Sequence, residues 1–144
     1  MNKTLPDKWV RKAIFTAFNN TVVDGETVKV YDSLQTNLSD NEKAYILMTS
    51  QGNEVEGNKC ESFYNSDILL EVCTWYKGTG NPGSRLLADN ILDKLRDTIK
   101  GGLNITGGGL EVITQKMSFP TDLVTNFGNG TLIRKFLRLE LLIK

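Results

Sequence analysis

The sequence predicts an α+β fold, a mostly antiparallel sheet of about four to six strands packed by two helices. The predicted order is helix, hairpin, strand, strand, helix, strand, strand. Three stretches carry that expectation. Residues 66–76 alternate as a strand does: Ile68, Leu70, Val72, Thr74 and Tyr76 fall on one side, and Asp67, Leu69, Glu71, Cys73 and Trp75 on the other. Residues 87–99 change period, with Leu87, Ala88, Ile91, Leu92, Leu95 and Ile99 forming one stripe of a helix. Between residues 21 and 31 an Asp24-Gly25 pair separates two β-branched runs, which is a hairpin signal.

Along the chain, Leu5-Pro6-Asp7 opens the first helix. Trp9, Val10, Ala13, Ile14, Ala17 and Phe18 form its apolar stripe, and Asn19-Asn20 are poor continuers. Residues 32–42 are polar and turn-rich and read as an exposed loop. Ala44, Tyr45, Ile46, Leu47 and Met48 begin a strand covered on both sides. Residues 51–65 form the longest polar segment. It reads either as a floppy loop or as a long hairpin reaching beyond the sheet; segments of this length in a small domain tend to be functional or disordered. The helix after the central strand starts at Asn81-Pro82 or at Ser84, and Gly101 is placed for a left-handed C-cap. Residues 110–117 read as a strand and residues 119–129 as a second long connection. In the last strand Ile133, Leu137, Leu139, Leu141 and Ile143 share a face that Lys135 interrupts, with Arg134, Arg138 and Glu140 opposite.

A chain of 144 residues suits one domain, 1–144, with a single core. Seventeen basic residues balance seventeen acidic ones, so there is no overall electrostatic footprint for nucleic acid or anionic membrane. The absence of histidine removes Ser-His-Asp and Cys-His catalysis and the commonest metal ligand. Cys60 and Cys73 are too few for a zinc site; they could form one disulfide, and two reduced thiols in an intracellular protein is the favoured reading. No signal-peptide pattern and no run approaching a membrane span is expected, so the Asn-x-Ser/Thr sequons are taken as compositional.

Two motifs invite chemical readings. Gly78-x-Gly80-x-x-Gly83 lies between a strand and a helix, as a dinucleotide-binding turn does. Against this, Asp97 sits within the helix rather than after a following parallel strand. Asn81-Pro82 also stiffens the turn where a pyrophosphate needs backbone N–H groups. A tight strand-to-helix connection is the favoured reading, and nucleotide binding is the alternative. Asp89, Asp93 and Asp97 repeat every four residues, a row that is either a cation site or a solvated helix face; the latter is favoured. No catalytic group, cofactor or metal is assigned.

The order of elements, with Val30-Tyr31-Asp32 closing the hairpin, Trp75 ending the central strand before a polar turn and amphipathic helix, and Gly128-Asn129-Gly130 leading into Arg138-Leu139-Glu140, resembles the tail completion family of tailed bacteriophages. These are tail terminator, tail-to-head joining and neck proteins, and the similarity extends over nearly the whole chain. The resemblance departs before the last strand, where Phe127-Gly128-Asn129-Gly130 stands in place of a common His-Gly. It implies a non-enzymatic virion protein that is assembled in the bacterial host cytoplasm and located at the tail–head joint. The implied partners are further copies in a ring (a hexamer favoured, a dodecamer open), the tail tube, and head connector or portal-side proteins. No membrane is implied, and contact with DNA through the ring lumen stays open. Expected contact residues are Glu54, Glu56, Lys59, Glu61, Phe63 and Tyr64 in the polar segment, Trp75 and Tyr76, and Arg134 and Arg138. The long final strand is expected to offer a sheet edge to a neighbour. A monomeric adaptor that binds a single partner is a further alternative.

Overall fold

The computed structural model describes residues 5–33, 43–57, 62–77, 84–105, 107–127 and 130–144. In chain order the elements are α1 (Asp7–Phe18), β1 (Thr21–Val23), β2 (Glu26–Tyr31), β3 (Ala44–Gly57), β4 (Ser62–Lys77), α2 (Ser84–Lys100), β5 (Val112–Ser118), β6 (Leu123–Phe127) and β7 (Gly130–Ile143). The α+β class holds, with seven strands among the described residues where about four to six were expected. The sheet order is β1-β2-β3-β4-β7-β5, and β6 also pairs with β7. All pairings are antiparallel except β2 with β3.

Local chemistry explains the turns. Asp24 and Gly25 both take positive φ, 51° and 79°, as a two-residue primed hairpin turn requires. α1 ends where Asn20 turns left-handed at φ 65°. The Val30 amide donates to Asn19 Oδ1 at 3.0 Å, which fixes the helix end to β2. The left-handed glycine after α2 is Gly102, at φ 100°, rather than Gly101. The alternative helix start at Asn81-Pro82 lies outside the described residues.

α1 and α2 cover one face of the sheet. Ile46, Ile68, Leu70, Val72, Leu137, Leu139 and Leu141 pack there against Val10, Ile14 and Phe18 of α1 and Ala88, Ile91, Leu95 and Ile99 of α2. Full burial stabilises each such side chain by about 1.5–3 kcal/mol relative to exposure. The alternation read from residues 66–76 therefore marks the helix-covered face correctly. Lys135, which interrupts the apolar face of β7, is neutralised by an ion pair with Asp89 on α2. The other face has a smaller cluster of Tyr45, Leu47, Cys73 and Leu132, with Tyr31 and Trp75 against it. Tyr31 and Tyr45 meet edge to face at 5.9 Å.

Two expectations are corrected. Residues 119–129 are not simply a connection, because they contain β6, which pairs with the start of β7. In register, β6 and β5 follow one another along the same side of β7, at Gly130–Arg134 and then Arg138–Ile143. They act as one edge strand broken at 119–122. Pro120 has no N–H for a ladder there, and Arg85 of α2 holds Asp122 at 3.0 Å. β7 is consequently interior, with β4 on one side and β5 and β6 on the other, and does not provide the expected free edge.

Candidate assembly surfaces

Of the two readings of residues 51–65, the long hairpin is the one adopted. β3 continues to Gly57 and β4 starts at Ser62, paired from Ala44↔Thr74 out to Gly57↔Ser62. β2 accompanies β3 only at Tyr45, Ile46 and Leu47. Beyond that point no described strand pairs with the outer side of β3, which leaves its residues 49–57 as an arm along the sheet's edge, while β4 stays paired with β7 out to Tyr64↔Ile143. Gln51 donates to the Asp7 carbonyl at 3.0 Å, so the first turn of α1 braces the arm's base. On the opposite side of the sheet, the outer sides of β5 and β6 likewise have no described strand partner. Ile113, Phe119, Leu123 and Val124 are exposed along this second edge.

The expected contact residues fall into separate regions. Glu54 and Glu56 are exposed on the arm, and Phe63 and Tyr64 are half-buried across from it. The Lys144 ammonium lies 5.9 Å from the Phe63 ring, and Tyr64 packs on the main core. Lys59 and Glu61 lie outside the described residues, as do Cys60 and the Gly78–Gly83 turn. Trp75 and Tyr76 lie at the far end of β4, each packed against one of the two core clusters. At about 3.3 Å per residue, Tyr64 and Trp75 are some tens of ångströms apart. Arg138 is exposed and approaches Asp67 at 3.7 Å. Arg134 pairs with Glu71, which is only 1% exposed, and its guanidinium lies 5.6 Å from the Phe136 ring.

Sequence reasoning missed the β5–β6 edge. Leu123-Val124-Thr125 between Pro120 and Gly128 was a short strand signal, hidden by the length of the polar residues around it. Strand pairing also aligns residues that are distant in sequence. Gly52, Asp67, Glu140 and Lys116 form one row across four strands, and Glu54, Asn65, Leu142 and Thr114 form the next. Together they line a concavity of about 660 Å³ on the face opposite the helices.

Titratable groups elsewhere are committed to structure. Burial, and next the charge of Glu71, push the Cys73 thiol up to about 12, so it stays protonated at neutral pH and is sealed from solvent. Burial, and next its hydrogen-bond partner Cys73, also raise Tyr45. In the helix row Asp89 pairs with Lys135, while Asp93 and Asp97 pair with Arg96. Among the described residues, no group of three or more His, Cys, Asp or Glu side chains could hold a metal ion. None of the described helices is long and apolar enough to cross a membrane.

No protein-family model matches this chain, and no curated protein matches it. Among solved structures, it is similar to a chain described as "Virion of native gene transfer agent (GTA) particle". That similarity is at 13% identity, covers 78% of this chain and 78% of the other, and has a TM-score of 0.49.

Proposed function

We propose that this protein is a structural component of a tailed phage virion. Copies of it assemble into a ring at the tail–head joint, as a tail terminator, completion or neck protein. The observation that carries this reading is a pair of strand edges, on opposite sides of one sheet, with which no described strand pairs: the outer side of the β3 arm, and the outer side of β5 and β6. Cyclic assemblies need a head-to-tail contact between two different surfaces of each copy, and these edges differ in length, charge and apolar content. The sequence resemblance to tail completion proteins supports the same role, with a hexamer as the favoured ring. The tail tube and head connector are the neighbours on this reading, and the ring does its work without chemistry.

Light scattering after size-exclusion chromatography, followed by negative-stain imaging, tests it. The expected result is a closed ring; a strict monomer at every concentration overturns it. Nucleotide binding at the Gly78–Gly83 turn is the competing reading. On the ring proposal, NAD or ATP leaves the melting temperature unchanged, because only a ligand bound to the folded state raises it.

A further inference from the structure

We infer that neighbouring copies meet face to back: the exposed basic side of α1 of one copy seats in the concavity on the helix-free face of the next. This rests on the proposed self-assembly and names the surfaces that perform it. The occupant of each surface is a second copy of this chain.

Charge is the first argument. Lys8, Arg11 and Lys12 are exposed on α1 at spacings of three and four, so they share one side of the helix. Lys8 and Lys12 lie 5.1 and 5.6 Å from the centre of the Trp9 ring. Among the described residues none of the three cations has an ion-pair partner, and Asp32 borders the same surface without forming one. The concavity carries the opposite charge: Glu54, Asp67 and Glu140 line it against one ammonium, Lys116. Asp67 and Glu140 are direct cross-strand neighbours, and Glu54 is diagonal to Asp67. Like charges so placed repel within one copy. Arg138, 3.7 Å from Asp67, and Lys116, across from Glu140, offset part of this. Glu54 and Glu56, both exposed, have no ion-pair partner among the described residues.

Shape is the second argument. Four neighbouring strands line the concavity, with the β3 arm at one margin, β4 and β7 between, and β5 at the other. At a strand spacing of about 4.8 Å they span roughly 14 Å, and a helix with its side chains is about 10–12 Å across. Phe15, 45% exposed beside Arg11 and Lys12, supplies an apolar contact for the half-buried Leu142 of the concavity. The two surfaces lie on opposite faces of one sheet, so they cannot meet within one chain. Each copy presents both, which makes the contact head-to-tail, as a ring requires. The contact enters no strand lane: β2 and β1 keep the side of β3 beside Tyr45–Leu47, and β6 keeps its place beside β7.

The test uses full-length protein in a Cys60→Ser background, with the sealed Cys73 left in place. K12C protein is mixed with E54C protein and treated with a short bifunctional maleimide. A cross-linked dimer is expected from the mixture and from neither variant alone. Separately, K12E and E54K should each lower the assembled fraction about fivefold, and the chain carrying both reversals should regain it. Rings that persist in images without the mixed cross-link and without charge dependence overturn this contact while leaving the ring reading intact. A K12E variant that loses retention of duplex DNA, with its assembled fraction unchanged, also overturns it and assigns the basic side of α1 to nucleic acid. Monomers at every concentration overturn both the contact and the ring.

Discussion

β3 is one continuous strand with two very different halves. Ala44, Tyr45, Ile46, Leu47 and Met48 are all buried, on both faces of the sheet, whereas Glu54, Val55, Glu56 and Gly57 are all exposed. Both halves pair with β4, so backbone hydrogen bonding does not distinguish them. The difference is coverage. Near its start β3 has β2 along its edge, the helices over one face and the Tyr31–Trp75 cluster over the other. Past the register shift between Met48 and Ser50 the flanking β2 and the Tyr31–Trp75 cluster end, and α1 reaches the strand only through its first turn at Gln51. The near half carries the buried side chains of the strand, and the arm is held by its pairing with β4 while its own side chains stay exposed.

The largest expected effect lies in the near half. Leu137 is fully buried beneath the helices and paired with Leu70, which is itself paired with Met48. Leu137→Ala should cost about 3 kcal/mol through lost burial and the cavity left behind, read as a shift in the urea midpoint. A loss under about 1 kcal/mol would show that the near half is not the stabilising one. Next comes Arg134→Ala, expected at about 2–3 kcal/mol. It leaves the buried Glu71 carboxylate without its cation, and one Glu71 oxygen already has no hydrogen-bond partner among the described residues. The figure is set below that for a fully buried pair because Arg134 is itself partly exposed. Adding Glu71→Gln to this variant should recover part of the loss, since the stranded charge is then gone.

These sites also show how much could be read from the sequence. Periodicity placed the helix stripes and the helix-covered face of β4, because burial on one side imposes a strict pattern there. The same rule made the other face of β4 look half polar. Glu71 is buried there nonetheless, because Arg134 arrives from a strand sixty-three residues away, and a pairing that distant leaves no local trace. Lys135 likewise broke the apolar pattern until Asp89 appeared opposite it. The free edge was misassigned to the last strand for a related reason. Strand order is set by long-range pairing, and the irregular Phe119-Pro120-Thr121-Asp122 break disguised two short segments that follow one neighbour.

Alkaline pH should separate the halves with a smaller effect. The ordinary thiol value is near 9, and burial pushes Cys73 up to about 12, so the unfolded chain gives up this proton first. Tyr45 is shifted in the same direction, again chiefly by burial. Their contribution is fully present below pH 9. It is lost progressively as the pH rises from about 9 towards 12, because the unfolded chain releases these protons before the folded one does. Urea titrations at pH 8 and pH 10.5 measure the decline, and Cys73→Ala together with Tyr45→Phe should flatten it. An unchanged slope in the double variant would mean that these two groups do not carry the alkaline sensitivity.

The smallest expected effect is on the arm. Val55→Thr keeps β-branching and strand propensity while removing the apolar character of the most exposed large hydrophobic side chain described. Its partners in the row are Tyr64 and Ile143, but at 68% exposure it draws little from them. Stability of the isolated chain should change by no more than about 0.5 kcal/mol. If Val55 is covered only when copies meet, the same substitution should still weaken assembly by sedimentation. A loss of chain stability comparable to that of Leu137→Ala would mean that the arm belongs to the core of its own chain. The contrast between the two halves of β3 would then fail, because Val55 would already be spending its apolar surface inside one molecule.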